Sequence, residues 1–207
     1  MTEFNDKQTD ILQTAEKLFA EEGFDGTSIR SIAKEAGVNI AMISYYFGSK
    51  EKLLEALIMY RTSGMKMQLE TIFKEDLSPL EKVNRLVDLY ISRINKNKCM
   101  YQIMHFELST KKRIMNMESF MEVKKQNSEI FKKIIEEGQE QGIFTKNVNI
   151  ALIPTTILGT LVHFRSNRLY YEKTMQLDTE ETFESYVTNE LTQHIKQTIK
   201  ALLLHEN

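Results

Sequence analysis

Cysteine occurs once in this chain, at position 99, and tryptophan not at all. A single thiol forms no internal disulfide and offers no second sulfur to a metal cluster, which points to a reducing cytoplasm. No apolar run approaches the ~18 residues that span a bilayer, so no membrane partner is expected. The first ten residues are polar and slightly acidic, without the basic and then apolar order of a secretory signal. Neither sign of charge dominates: 27 Lys and Arg stand against 29 Asp and Glu. That balance excludes a surface that is basic throughout and holds nucleic acid without selection. Two prolines and eight glycines in 207 residues leave few breaks, and no stretch alternates apolar and polar residues long enough to read as a strand.

What is present is helical periodicity, nearly from end to end, with 42% hydrophobic residues to supply a core. Ile11, Leu12, Ala15, Leu18 and Phe19 form one stripe of a first helix. Gly23 ends it as a left-handed cap, and Phe24 then packs back on Phe19. Thr27 is placed to cap a second helix carrying Ile29, Ile32, Ala33 and Ala36, which Gly37 stops after two turns. Asn39 caps a third, with Val38 and Ile43 as its hydrophobic staple. Gly48-Ser49 closes that short helix and opens another, read as continuous from Lys50 to about Phe73. Ser78-Pro79-Leu80-Glu81 joins a capping box to a proline at the first helical position, and its helix reaches roughly Asn95. Further helices are expected over 98–110, 118–142 and 149–173. A last one opens at Asp178 with Glu181 three residues on.

Two short helices joined by a tight glycine turn and packed on a preceding helix make a helix-turn-helix, spanning 28–47 here. On a helical wheel Ile43 and Phe47 of the third helix face the core, Ile40 lies near that side, and Ala41, Met42 and Tyr45 point away. A short helix anchored on one face and open on the other is what the major groove of duplex DNA admits. Residues 1–60 hold six Lys and Arg against ten Asp and Glu. Between Ser28 and Lys52 the balance reverses, with Arg30, Lys34, Lys50 and Lys52 against Glu35 and Glu51. The free N–H groups at helix starts near Thr27, Asn39 and Ser49 suit phosphate oxygens, and Lys50 sits where it could add charge.

The stretch TSIRSIAKEAGVNIAMISYYFGSKEKLL, residues 27–54, resembles the signature of the TetR/AcrR family of bacterial regulators. The resemblance is detailed over roughly residues 7–60 and, beyond them, extends to length and helical character. It implies an all-α fold of about nine helices. A three-helix head over 5–65 would bind DNA, and a body over 66–207 would dimerise and enclose a ligand pocket. By the resemblance Arg30, Ile40, Met42 and Tyr45 match positions that approach bases. Thr27, Ser28, Ser44, Tyr46 and Lys50 match positions that touch the DNA backbone, beside the cap Asn39. Ala41 stands where many members have glycine and Ser44 where many have tyrosine, which removes a ring that packs on the phosphates. With Met42 exposed, base readout would lean on thymine methyls and Arg30.

Met100, Tyr101, Met104, Phe106, Met115, Met117, Phe120 and Met121 could line an adaptable cavity for a small apolar or amphipathic effector, or pack as ordinary core. Of these, Met100, Tyr101, Met104 and Phe120, together with His163, are the pocket candidates. Gly159 lets a second helix approach, and Phe183, Val187, Leu191 and Ile195 form a long stripe, giving a candidate seam between two copies. The alternative is that this stripe closes the monomer's own core. His105 and Glu107 are two apart and share no helix face, and Glu190 and His194 suit a surface hydrogen bond better than a metal. No metal site, cofactor or catalytic residue is expected: an enzyme using His105, Glu107 or His163 would lack any nucleophile–base pair or phosphate loop. A third reading keeps the head on DNA but uses it to recruit partners. The repressor reading expects a homodimer on a palindromic operator.

Overall fold

A computed structural model describes residues 4–110 and 118–204 of the chain, and within them every regular element is helical. Twelve α-helices follow in order: α1 (Asp6–Gly26), α2 (Ile29–Glu35), α3 (Ile40–Phe47), α4 (Lys50–Thr62), α5 (Met65–Lys74), α6 (Pro79–Lys96), α7 (Lys98–Thr110), α8 (Glu118–Glu140), α9 (Ile153–Ser166), α10 (Arg168–Met175), α11 (Glu180–Tyr186) and α12 (Thr192–Leu203), with a short 3-10 turn, Ile150–Leu152, before α9. The all-α expectation holds. The expected nine helices become twelve segments because three of them are broken.

The first break falls at Ser63-Gly64, where Gly64 takes φ 77° and divides α4 from α5. The second is Asn167, between α9 and α10. The third is a wider turn, Val187–Leu191, between α11 and α12. There the buried hydroxyl of Thr192 donates to the Val187 carbonyl at 2.8 Å, giving that carbonyl a partner inside the widened turn. The last helix opens one residue later than expected. Thr179, not Asp178, is its cap, and its hydroxyl accepts from Thr182 N–H at 3.1 Å. At α6 the Ser78–Glu81 box forms as expected. The Glu81 carboxylate accepts from the Ser78 hydroxyl and N–H, which hold its carboxyl below the ordinary value.

The chain divides into two compact units. The first holds residues up to Met65 together with 96–125; the second holds 66–95 and 126–207. The first unit thus combines α1 to α4 with α7 and the start of α8. Ile11, Leu12, Phe19, Phe24, Ile32, Ile43, Phe47, Leu53 and Leu57 share one buried cluster with Met100, Ile103 and Phe120. Glu16 is buried beside them and accepts from Arg61 Nε at 2.8 Å and Nη2 at 2.5 Å, tying α1 to α4.

In the second unit buried charge is likewise paired. Lys82, 5% exposed, donates to both Glu137 oxygens at 2.9 Å. Arg165 of α9 donates to both Glu184 oxygens at 2.8 Å and to Asn95 at 2.6 Å. Phe164 stacks with Tyr171, Phe183 and Tyr186, at ring separations of 4.3, 5.3 and 5.5 Å. Phe183, Val187, Leu191 and Ile195 are all buried in this single chain. The candidate seam stripe is thus turned inward: an amphipathic helix has one apolar face, and the chain's own core takes it. Among the described residues no helix is long and apolar enough to cross a membrane.

A candidate DNA interface in the first unit

Gly37 is the pivot of the α2–α3 turn. Its φ of 62° lies in the left-handed region, where a Cβ is strained. There Val38 N–H donates to Ala33 O at 2.9 Å and Gly37 N–H to Lys34 O at 3.3 Å, closing the end of α2 in the paired-bond cap that glycine favours. Asn39 then caps α3, its Oδ1 accepting from Ala41 N–H at 2.9 Å. Ile43 and Phe47 are buried, so α3 is held along one side. Its other side is open: Ala41 and Ser44 are exposed, Tyr45 is 84% exposed and Met42 is half-buried. Ile40 is 41% exposed, which corrects its expected place near the core side. Arg30 on α2 is exposed too, and Tyr46 is half-buried with its ring edge-on to Tyr45 at 5.4 Å.

Thr27 and Lys50 depart from expectation. Ser28, not Thr27, caps α2: its hydroxyl accepts from Ser31 N–H at 2.9 Å, and its own N–H donates to the Ser31 hydroxyl at 3.0 Å. Thr27 is 1% exposed and spends its hydroxyl inward, donating to Leu18 O at 3.1 Å and Gly23 O at 2.8 Å. Its side chain is withdrawn from any DNA backbone. The Lys50 ammonium also turns inward, donating at 2.8 Å to both Phe24 O and Thr27 O and lying 4.3 Å from the Phe24 ring centre. Both assignments required the path of the chain between α1 and α2, which residue spacing does not give. Gly23 is left-handed as expected (φ 73°), and Phe24 does meet Phe19, at 5.1 Å. A further helical turn runs on to Gly26, and that brings the Phe24 and Thr27 carbonyls to Lys50.

The pocket candidates are not gathered around one cavity. Met100 and Phe120 are buried in the core of the first unit, Met104 packs against it, and Tyr101 is half-buried there. Core packing therefore takes these positions. Phe106 and Met121 are exposed, and Met115 and Met117 lie outside the described residues. His163 is exposed in the second unit, where it lines an open groove of about 750 Å³ with Gly159, Phe164, Tyr171, Tyr186, Glu190, Leu191 and His194. Among the described residues no three His, Cys, Asp or Glu side chains are placed to hold a metal, and Cys99 is free and exposed.

Residues 11–57 match the family model for bacterial regulatory proteins of the tetR family. Residues 79–199 match a second one, the tetracyclin repressor-like C-terminal domain. The probable HTH-type transcriptional regulator YttP of Bacillus subtilis is 34% identical over 135 residues, spanning 63% of this chain and 64% of that protein, so the alignment leaves over a third of YttP unmatched. The HTH-type transcriptional repressor NicS of Pseudomonas putida is 30% identical over 168 residues, 76% of this chain and 75% of that one. Among solved structures, the regulator FadR of Bacillus subtilis in complex with stearoyl-CoA shares the fold at a TM-score of 0.66. It is 22% identical and matches 95% of this chain and 97% of that one. The chain belongs to the tetR family of bacterial regulatory proteins.

Proposed function

We propose that the protein is a ligand-responsive repressor that acts as a homodimer on a palindromic operator. The observation carrying this is the outer side of α3, where Tyr45 stands 84% exposed on a short helix whose Ile43 and Phe47 are fixed in the core. An aromatic ring left in water on a rigid helix suits a partner surface, and the width of α3 suits the major groove. In this reading Ile40, Met42 and Tyr45 of α3 and Arg30 of α2 meet base edges. Ser28, Ser44 and Tyr46 meet the backbone, beside the capped start of α3 at Asn39. Two such heads would enter successive major grooves about 34–36 Å apart.

The second copy would be held by the outward faces of α9 and α12, around Gly159, which is exposed with open space beside it. The effector would be apolar or amphipathic; the related fold solved with stearoyl-CoA supports that class. Such an effector releases DNA only if it binds the two head arrangements with different affinity, a coupling of typically ~1–3 kcal/mol. In this reading the repressor works in the cytoplasm, by binding and release alone.

Fluorescence anisotropy of the full chain on its own upstream duplex, across salt concentrations and with added stearoyl-CoA, tests the proposal. Salt-sensitive preference for that duplex over a scrambled one is expected, with Arg30→Ala lowering the preference by about 5- to 150-fold, or ~1–3 kcal/mol. Equal binding to both duplexes by the unaltered protein would sink the repressor reading. Binding that stearoyl-CoA and related thioesters leave untouched would remove acyl-CoA thioesters as effectors.

A further inference from the structure

Lys50 occupies the first turn of α4, directly after the cap Ser49. A cation is poorly placed there, because the N-terminal end of a helix already carries partial positive charge. The side chain resolves this by reaching back 23 and 26 residues, where its ammonium donates to Thr27 O and Phe24 O, both at 2.8 Å. Those carbonyls lie in and just after the single turn that follows the left-handed break at Gly23, where the chain passes from α1 to α2. Both acceptors are held firmly: Phe24 is 4% exposed against Phe19, and the buried Thr27 is pinned by its own hydroxyl. An ammonium has three N–H donors, and two are used inside the protein.

The chain path gives this contact its meaning. Thr27 immediately precedes Ser28, the cap of α2, and Lys50 immediately follows Gly48-Ser49, which ends α3. One side chain therefore joins the two ends of the helix-turn-helix. We propose that Lys50 is a positioning residue for DNA recognition, a clasp that sets how α2 and α3 are presented instead of lending its charge to a phosphate. The inference rests on the DNA-binding reading above. It differs from what a lysine beside a recognition helix suggests by sequence, and the two roles leave different signatures. A phosphate-bound lysine adds about 1 to the salt slope of binding and strengthens every sequence alike, whereas a clasp acts on the sequence-specific part.

The test compares the full-length protein with Lys50→Met and Lys50→Arg. Amide exchange without DNA comes first: Lys50→Met should speed exchange over residues 24–31 at least tenfold, with α6 unchanged. Unaltered exchange there would overturn the clasp whatever the DNA results. Anisotropy then follows on the upstream and scrambled duplexes, at a temperature where every variant is folded. The clasp requires at least a tenfold loss on the upstream duplex, little change on the scrambled one, and an unchanged salt slope. Lys50→Arg should lose upstream affinity as well, because a planar guanidinium does not reproduce two converging ammonium bonds. A slope reduced by about 1 per head, equal weakening on both duplexes and rescue by arginine would assign Lys50 to phosphate instead. An unchanged upstream-to-scrambled ratio would reduce it to a stabilising contact and overturn the positioning role. Should Lys50→Met fail to fold, Lys50→Arg alone decides between these outcomes. If the unaltered protein does not distinguish the duplexes, the repressor reading falls, while the exchange result still judges the clasp.

Discussion

Glu16 and Lys17 are neighbours on α1 and both form ion pairs, but only Glu16 does so out of water. Its side chain is 7% exposed and meets Arg61 at 26% exposure, whereas Lys17 and Glu35 are each more than half exposed. Removing one partner of a buried pair leaves the other charge stranded, at a cost of ~3–5 kcal/mol when both are fully enclosed. Arg61 retains some access to solvent, so Glu16→Ala is expected to cost about 2–3 kcal/mol, whereas Lys17→Ala, at a fully solvated pair, should leave the unfolding midpoint nearly where it is. Urea unfolding of the two variants checks this, and a Glu16→Ala loss below ~1 kcal/mol would rule out a structural role for the pair. Sequence marks Glu16 only as a polar residue on the side of the stripe that holds Leu12 and Phe19, because its partner lies 45 residues away. Thr27 and Lys50 share that limit. Their residue types suggested caps and phosphates, and only the fold of the α1–α2 turn shows that their donors point inward.

The elements themselves were largely legible, because caps and stripes are local chemistry. Asn39, Ser49 and Ser78 cap where their positions indicate, and the inward faces of α1 to α4 follow the apolar spacing. The breaks were less so. Gly64 is a visible stop signal, yet apolar residues at helical spacing continue past it and conceal the interruption. At the last helix Asp178–Glu181 and Thr179–Thr182 are competing boxes one residue apart, and only geometry selects the second. Gly138, inside α8, shows how propensity and packing can point in opposite directions. Alanine there would gain about 1 kcal/mol of helix propensity. An added Cβ would, however, lie 2.2 Å from the ring of Phe144, which is 1% exposed and has nowhere to retreat. Overpacking of a closed core costs ~1–3 kcal/mol, so Gly138→Ala is expected to lower stability on balance. A thermal melt decides the sign, and a raised melting temperature would mean that the Phe144 ring yields.

For the whole molecule, helical class and family could be read from residues, but a surface for the proposed second copy could not. Phe183, Val187, Leu191 and Ile195 are the conspicuous stripe, and conspicuous apolar stripes are claimed first by a chain's own core. Outward beside them stand Gly159 and His163 on α9, Glu190 in the widened turn, and Gln193, His194 and Gln197 on α12, with Met175 and Leu202 as exposed apolar side chains. A seam built there would depend on close approach at Gly159, which is exposed with open space beside it. Gly159→Arg isolates that dependence, because an added Cβ meets nothing within 4 Å in the single chain and a helix prefers arginine to glycine. The folded subunit should therefore melt no earlier, while Ile195→Ala, which opens a cavity at a 1% exposed site, costs ~2–5 kcal/mol. On the proposed function, sedimentation should find the unaltered protein dimeric and Gly159→Arg monomeric, with operator affinity reduced at least tenfold because the two heads no longer bind as one unit. An intact dimer with full affinity would place the seam elsewhere on the second unit.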